Sequence, residues 1–289
     1  MGRILGVGEL LWDLEGERRT PGGAPANFAF SVGQLGHEAR VVSRVGEDTL
    51  GAELLAFLRS RGLDVATIQT DPDKPTGTVL VELDEDGSPT FTITEEVAWD
   101  YLSADDEAVA LARSADAICF GSLGQRNPVA RAAIRTLVDA GDGLRIFDIN
   151  LRQHFWSKNI LRWGLQRAAV VKLNAEEQRT LADVFEWPAE PVAWARRLSG
   201  AYGTRVVCIT RGADGCVLVS PDDVAEAPGK DIEVADTVGA GDAFTAAIAD
   251  GMLRSLPLSA MARRANRVAA YVASRSGGMA ELPSGIGSD

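Results

Sequence analysis

The sequence predicts an α/β fold: a doubly wound, mostly parallel sheet flanked by helices, with a small β-hairpin lid. Three observations carry this reading. Short apolar runs recur along the chain, with the length of strands buried on both faces. Helical stretches lie between them, and such alternation marks a parallel sheet covered on both sides. One segment, 76–97, breaks the rhythm. Alternating residues flank Asp84-Glu85-Asp86-Gly87 there, as in a β-hairpin.

In chain order, residues 4–7 read as the first strand. Residues 26–35 read as a helix, with Pro25 near its first turn and Gly36 as its stop. A strand over 39–45 and a helix over 50–58 follow. Further strands are expected at 115–120, 144–148, 169–173 and 205–210. Helices are expected at 129–140, 192–199 and 261–273. The hairpin stands where a crossover helix belongs, so it is expected to be a flap over a site or an interface. The tail 277–289 is rich in Gly, Ser and Pro and is expected to pack loosely on the surface.

Composition narrows the function. Apolar residues make up 46% of the 289, an ordinary value for a globular chain. With 29 basic and 41 acidic residues the net charge is −12, which disfavours nucleic acid and anionic membranes as partners. A small anion needs only a local site and stays allowed. No apolar window is long enough for a membrane span, and the N-terminal run is too short for a signal peptide. Cys119, Cys208 and Cys216 lack metal-ligand spacing and sit in strand-like stretches. They read as buried free thiols of a cytoplasmic protein. Two histidines, His37 and His154, leave no basis for a histidine-rich metal site.

The sharpest chemistry lies in Asp236-Thr237-Val238-Gly239-Ala240-Gly241-Asp242. A Gly-Ala-Gly turn runs into an apolar helix carrying Phe244, Ile248 and Met252. Small residues let a ligand approach the backbone, and the first-turn N–H groups form an anion cradle. Asp242 at its lip is placed to accept a proton from an attacking hydroxyl, or simply to cap the helix. Near the N-terminus, Gly22-Gly23-Ala24-Pro25-Ala26-Asn27 leads into a helix. Asp13 and Asn27 there supply acceptors and a donor suited to a polyol. No P-loop and no convincing dinucleotide fingerprint is present.

Together GGAPAN and DTVGAGD resemble the ribokinase-like, phosphofructokinase B type family of carbohydrate kinases. Asp148-Ile149-Asn150-Leu151-Arg152, Asn174-Ala175-Glu176-Glu177 and Thr210-Arg211-Gly212-Ala213-Asp214-Gly215 resemble further family segments in the expected order. The resemblance implies a single ribokinase-like domain over 1–289, with a lid of about 13–21 and 76–98. It implies transfer of the γ-phosphoryl of ATP to a sugar hydroxyl, with Asp242 as base and the Gly239, Ala240 and Gly241 amides as anion hole. Asp13, Gly22, Gly23, Asn27 and Arg152 would hold the sugar. Asn174, Thr210, Gly212, Gly215 and Asn266 would lie at the nucleotide. Asn174 and Glu177 would position Mg²⁺ through water, unless they serve only as a capping box. Arg152 and Arg211 touch phosphate or sugar, or pair with surface acids. K⁺ bound between the 236–242 loop and residues 273–279, and a homodimer through the lid, are further implications. GELLWD, GGAPAN and DINLR favour fructose as substrate, giving fructose 6-phosphate. A 2-keto-3-deoxygluconate kinase or a ribokinase is the alternative. A sugar-binding regulator with a dead kinase fold is the reading from another class.

Overall fold

The computed structural model describes residues 1–83 and 89–287. The chain opens with Arg3–Val7 (β1), Leu11–Glu15 (β2), Arg18–Gly22 (β3), Ala24–Gln34 (α1), Glu38–Gly46 (β4), Thr49–Ser60 (α2) and Ile68–Asp71 (β5). Gly77–Leu83 (β6) and Pro89–Ile93 (β7) follow, then Asp106–Arg113 (α3), Ala117–Gly121 (β8), Pro128–Ala140 (α4) and Leu144–Asp148 (β9). Next come Lys158–Leu165 (α5), Val170–Asn174 (β10), Ala175–Phe185 (α6), Pro191–Tyr202 (α7) and Val206–Thr210 (β11). Cys216–Val219 (β12), Val224–Ala227 (β13), Ala240–Leu253 (α8) and Leu258–Ala273 (α9) complete it.

The main sheet runs β13-β12-β11-β10-β9-β8-β1-β4-β5. From β11 to β5 the pairings are parallel, and β12 and β13 add an antiparallel edge. Alternate residues of each strand feed opposite cores. Leu5, Val7, Phe120, Val171 and Leu173 pack on the face of α3 to α7, around Ile134, Leu161, Leu181 and Trp194. Ile4, Cys119 and Val170 pack on the other face, around Phe28 of α1, Phe244 and Ile248 of α8, and Val268 of α9. This two-sided burial is why the strands read as short continuous apolar runs. Cys119, Cys208 and Cys216 are free and buried in strands, as expected.

A second sheet, β3-β2-β6-β7, stands apart from the first. It takes in the expected hairpin, whose turn 84–87 lies outside the described residues, and adds β2 and β3, which local patterning did not reveal. β2 pairs β6 in parallel across some 65 residues of sequence, with Leu11 opposite Gly77 and Asp13 opposite Val79. Its base is tied to the main body by Arg126. That guanidinium is bidentate to Asp100 at 2.8 Å for each contact and lies 4.0 Å over Trp99. It also donates to the Thr94 carbonyl, just past β7.

The C-terminal segment corrects the expectation of a loose tail. Met279 is buried with the α1–β4–α2 core, and Leu282 and Ile286 pack against the α8–α9 core. The Gly277 N–H donates to Asp236 and the Met279 carbonyl accepts from Arg61, so residues 277–279 are tied to the loop before α8 and to the end of α2.

Because Arg126 and Asp100 have side chains only 5% and 2% exposed, removing one strands the other's charge. Arg126→Ala is expected to cost about 3–5 kcal/mol in urea unfolding. A loss below about 1 kcal/mol would mean the pair contributes no more than a surface one.

Candidate active site

Strand order reverses between β1 and β8. The chain runs outward from β1 to β4 and β5, then returns to β8 on the other side. At such a reversal the connections diverge beyond the carboxyl ends of the strands and leave a crevice. Here the walls of the cavity are Phe28 and Phe120, and its polar lining is Glu9, Asp148, Asn150 and Asp242.

Asp242 sits in the first turn of α8. Gly239 caps that helix with φ 74°, and a Cβ there would lie 2.4 Å from the Gly278 Cα. No side chain caps the helix, so the first-turn amides expected of an anion cradle are not taken by one. Asp242 Oδ2 accepts from Asn27 Nδ2 at 2.9 Å, which joins the starts of α1 and α8. Below it, Lys172 Nζ lies 3.1 and 3.2 Å from the two oxygens of Asp148. Thr245 Oγ1 donates to Asp148 Oδ2 at 3.0 Å. A Cβ on Gly241 would meet Lys172 Nζ at 2.9 Å, so the glycine makes room for the ammonium.

Burial pushes the Asp242 carboxyl up to about 6; Asp148 adds to this, while Lys172 and Asn27 oppose it. Burial also works against the Lys172 charge, but Asp148, Glu177 and Asp242 outweigh it and hold the ammonium above its ordinary value. The arrangement therefore pairs a fixed cation with a carboxylate that exchanges its proton near neutrality.

Asp13 faces the same region from β2. A Cβ on Gly22 would come within 2.7 Å of Asp13 Oδ2. Burial raises the Asp13 carboxyl to about 6, against the pull of Arg152. Arg152 itself is exposed, and its charge acts on Glu9, Asp13 and Asp242 together. Gly23, with φ 114°, caps α1 where any Cβ would strike the Glu9 carbonyl at 2.6 Å. Asn27 Oδ1 is buried and has no partner among the described residues, an acceptor left for a ligand.

On the far side, Asn174 ends β10 beside Thr210 of β11. Asn174 and Glu177 form the capping box of α6: Asn174 Oδ1 accepts from the Glu177 N–H, and Glu177 Oε2 from the Asn174 N–H, each at 2.8 Å. Glu177 Oε1 accepts from the Leu151 N–H, so the side chain also pins the 149–152 turn. Gly212 and Gly215, at φ 58° and 84°, shape the tight turn after β11. Arg211 pairs with Glu226, the surface-acid alternative, at 2.9 Å. Asn266 of α9 donates to the Pro228 carbonyl at 2.6 Å; like Asn174, Thr210, Gly212 and Gly215, it stands outside the lining of the cavity beside Asp242. Asp236 accepts from the Val238 and Gly277 N–H groups, which joins the 236–242 loop to the 273–279 loop.

Lys172 and Thr245 belong to this site although the sequence reading did not single them out. Glu9, Asp148 and Asn150 stood in the quoted segments GELLWD and DINLR but were given no role. Lys172 carried a signal as a charge inside the apolar run Val170–Leu173. Asn150 holds φ 43°, a left-handed backbone that places strain at the cavity.

A pfkB family carbohydrate kinase model matches residues 8–285. An Escherichia coli fructokinase is 31% identical over 279 residues, 91% of this chain and 89% of that protein. A structure of an uncharacterized sugar kinase from Pyrococcus horikoshii in complex with ATP superposes with TM-score 0.83 at 30% identity, covering 96% of this chain and 94% of the other. A fructokinase from Vibrio cholerae, solved with fructose, ADP and a calcium ion, gives TM-score 0.80 at 25% identity over 98% and 96%. Fold and crevice thus define an α/β kinase of small molecules. The chain belongs to the pfkB family of carbohydrate kinases.

Because the Asp242 carboxyl is raised in the folded state, its contribution to stability is full below about pH 4 and is lost as pH climbs through about 6. Asp242→Asn, which mimics the neutral form, is expected to raise unfolding free energy at pH 8 by about 1–2 kcal/mol. At pH 4 the two proteins should unfold alike. Urea titrations at both values check this, and an equal effect at both would remove the carboxyl's charge as its cause.

Proposed function

We propose that this protein transfers the γ-phosphoryl group of ATP to a hydroxyl of a sugar, with fructose as substrate and fructose 6-phosphate as product. The observation that carries the reading is Asp242: a carboxyl of raised proton affinity at a helix start without a side-chain cap, hydrogen-bonded to Asn27 and lining the crevice. The sugar oxygen forms its bond to the γ-phosphorus as the bond to the ADP oxygen breaks. The hydroxyl proton passes to Asp242, and ADP leaves with the electron pair. The Gly239, Ala240 and Gly241 amides stabilise the charge spread over the phosphoryl oxygens. Asp13, Gly22, Gly23, Asn27 and Arg152 hold the sugar. Asn174, Thr210, Gly212 and Gly215 lie along the nucleotide. Asn266 would act there through the carbonyl it holds rather than directly.

Mg²⁺ would neutralise phosphate charge. Both Glu177 oxygens already accept backbone N–H groups, which fits contact through metal-bound water rather than direct ligation. The contact between the Asp236 and Gly277 loops supports a K⁺ site nearby, testable by replacing KCl with choline chloride. The small sheet serves as a lid whose closure excludes water. Its exposed Leu80 and Phe91, at 42% and 52%, support pairing of lids in a homodimer. Buried free thiols suit a cytoplasmic setting. The named relatives and the GELLWD–GGAPAN–DINLR combination support fructose. The exposed Arg152 is the observation favouring a sugar acid such as 2-keto-3-deoxygluconate.

A coupled ADP-release assay with Mg-ATP over fructose, ribose, 2-keto-3-deoxygluconate, glucose and adenosine tests this. Turnover with fructose is expected, falling about 10²–10⁴-fold in Asp242→Asn. Sugar binding without turnover by the wild type would instead establish the regulator reading.

A further inference from the structure

Glu9 has no role in the mechanism above, yet it is 3% exposed and lines the cavity that Asp242 overlooks. It leaves β1 at the point where strand order reverses. The turn at 122–125 closes on it. Gly124 lies against it: a Cβ there would stand 3.4 Å from Glu9 Oε2, an ordinary contact, and would press harder on Gly8 and Ile134. The backbone N–H groups of Glu9 itself and of Ala24, at the start of α1, favour its charged form. Burial works more strongly the other way and pushes the carboxyl up to about 7, with Asp242 adding to the rise.

A carboxylate offers about four acceptor positions. Among the described residues no side-chain donor fills them. The carboxyl lies near the start of α1, where Gly23 supplies no side-chain cap. A cap alone would not explain placing the group in a cavity beside two further acids, Asp148 and Asp242. Three acids around one crevice, against Lys172 inside and Arg152 outside, make a lining rich in acceptors and poor in free donors. The complementary ligand is neutral and rich in hydroxyl donors.

We propose that Glu9 is a substrate-binding residue that accepts a hydroxyl hydrogen bond from a neutral sugar and turns away sugars bearing a carboxylate. This rests on the sugar kinase reading and decides its remaining ambiguity: Arg152 balances the acids at the mouth rather than receiving a carboxylate.

The test compares the wild type with Glu9→Gln at pH 8, where Glu9 and Asp242 are mostly ionised. The glutamine keeps the shape and one acceptor oxygen. For fructose, KM is expected to rise at least about tenfold with kcat within about threefold, because a lost hydrogen bond to a charged group is worth about that in binding. The preference in kcat/KM for fructose over 2-keto-3-deoxygluconate and gluconate is expected to fall at least about tenfold. Calorimetric binding of each sugar without ATP should follow the same order. A merely structural role predicts a lowered melting temperature with KM and preference within about twofold of wild type. That result overturns the proposal, as does a wild type that prefers a sugar acid. If no sugar gives turnover, the kinase reading fails. The calorimetric arm then decides for Glu9: weakened fructose binding in the variant upholds it. Equal binding, or none in either protein, overturns it.

Discussion

The buried ammonium of Lys172 is the constraint around which the site is arranged. Asp148, Glu177 and Asp242 all act on its charge, and Asp148 touches it through both oxygens. Without a cation, so many acids in one low-dielectric region would take up protons or open the structure to water. With it, Asp148 can accept from Thr245 while Asp242, farther from the ammonium, keeps a raised proton affinity. Room for the cation depends on the missing Cβ of Gly241, so the glycine of the cradle serves the floor of the site as well as its lip.

The position of the crevice follows from topology. A parallel sheet puts all its carboxyl ends on one edge, so Glu9, Gly121, Asp148, Asn174 and Thr210 share that edge although some 200 residues separate the first from the last. Reversal of strand order between β1 and β8 opens the space beside Glu9. The helices that close it, α1 and α8, begin at Gly23 and Gly239, and both glycines hold positive φ against a backbone neighbour. Asn27 and Asp242 then meet across 215 residues of sequence.

Site and scaffold make opposite demands. Elsewhere, buried charge is neutralised in closed pairs, as in Arg126 with Asp100 under Trp99, or Asp250 held by His37 and Arg254 at 2.7 and 2.6 Å. In the crevice, Glu9, Asp13 and Asp242 stay short of partners and are all raised in proton affinity by burial. Asn27 Oδ1 is left without a partner there. Such groups destabilise the empty fold and are ready for hydroxyls and phosphate.

By itself the sequence determined the alternation of elements, because burial on both faces imposes apolar runs that need no knowledge of partners. It also determined the two glycine-led helix starts, with Asp242 and Asn27 on them, because close backbone approach demands small residues locally. The capping box of Asn174 and Glu177 was legible for the same reason: its hydrogen bonds span three positions. Tertiary structure alone decided the rest. β2 and β3 exist only through pairing with a distant hairpin, so their own pattern carried no strand period. Asn266 and Arg211 found backbone and acid partners that no local spacing announces. Lys172 gained a place in the site, and Asp148 and Glu9 gained a role beyond the segments they mark, only when the sheet edge brought them under one helix, since the proton affinity of a carboxyl depends on neighbours and burial rather than on its place in the chain.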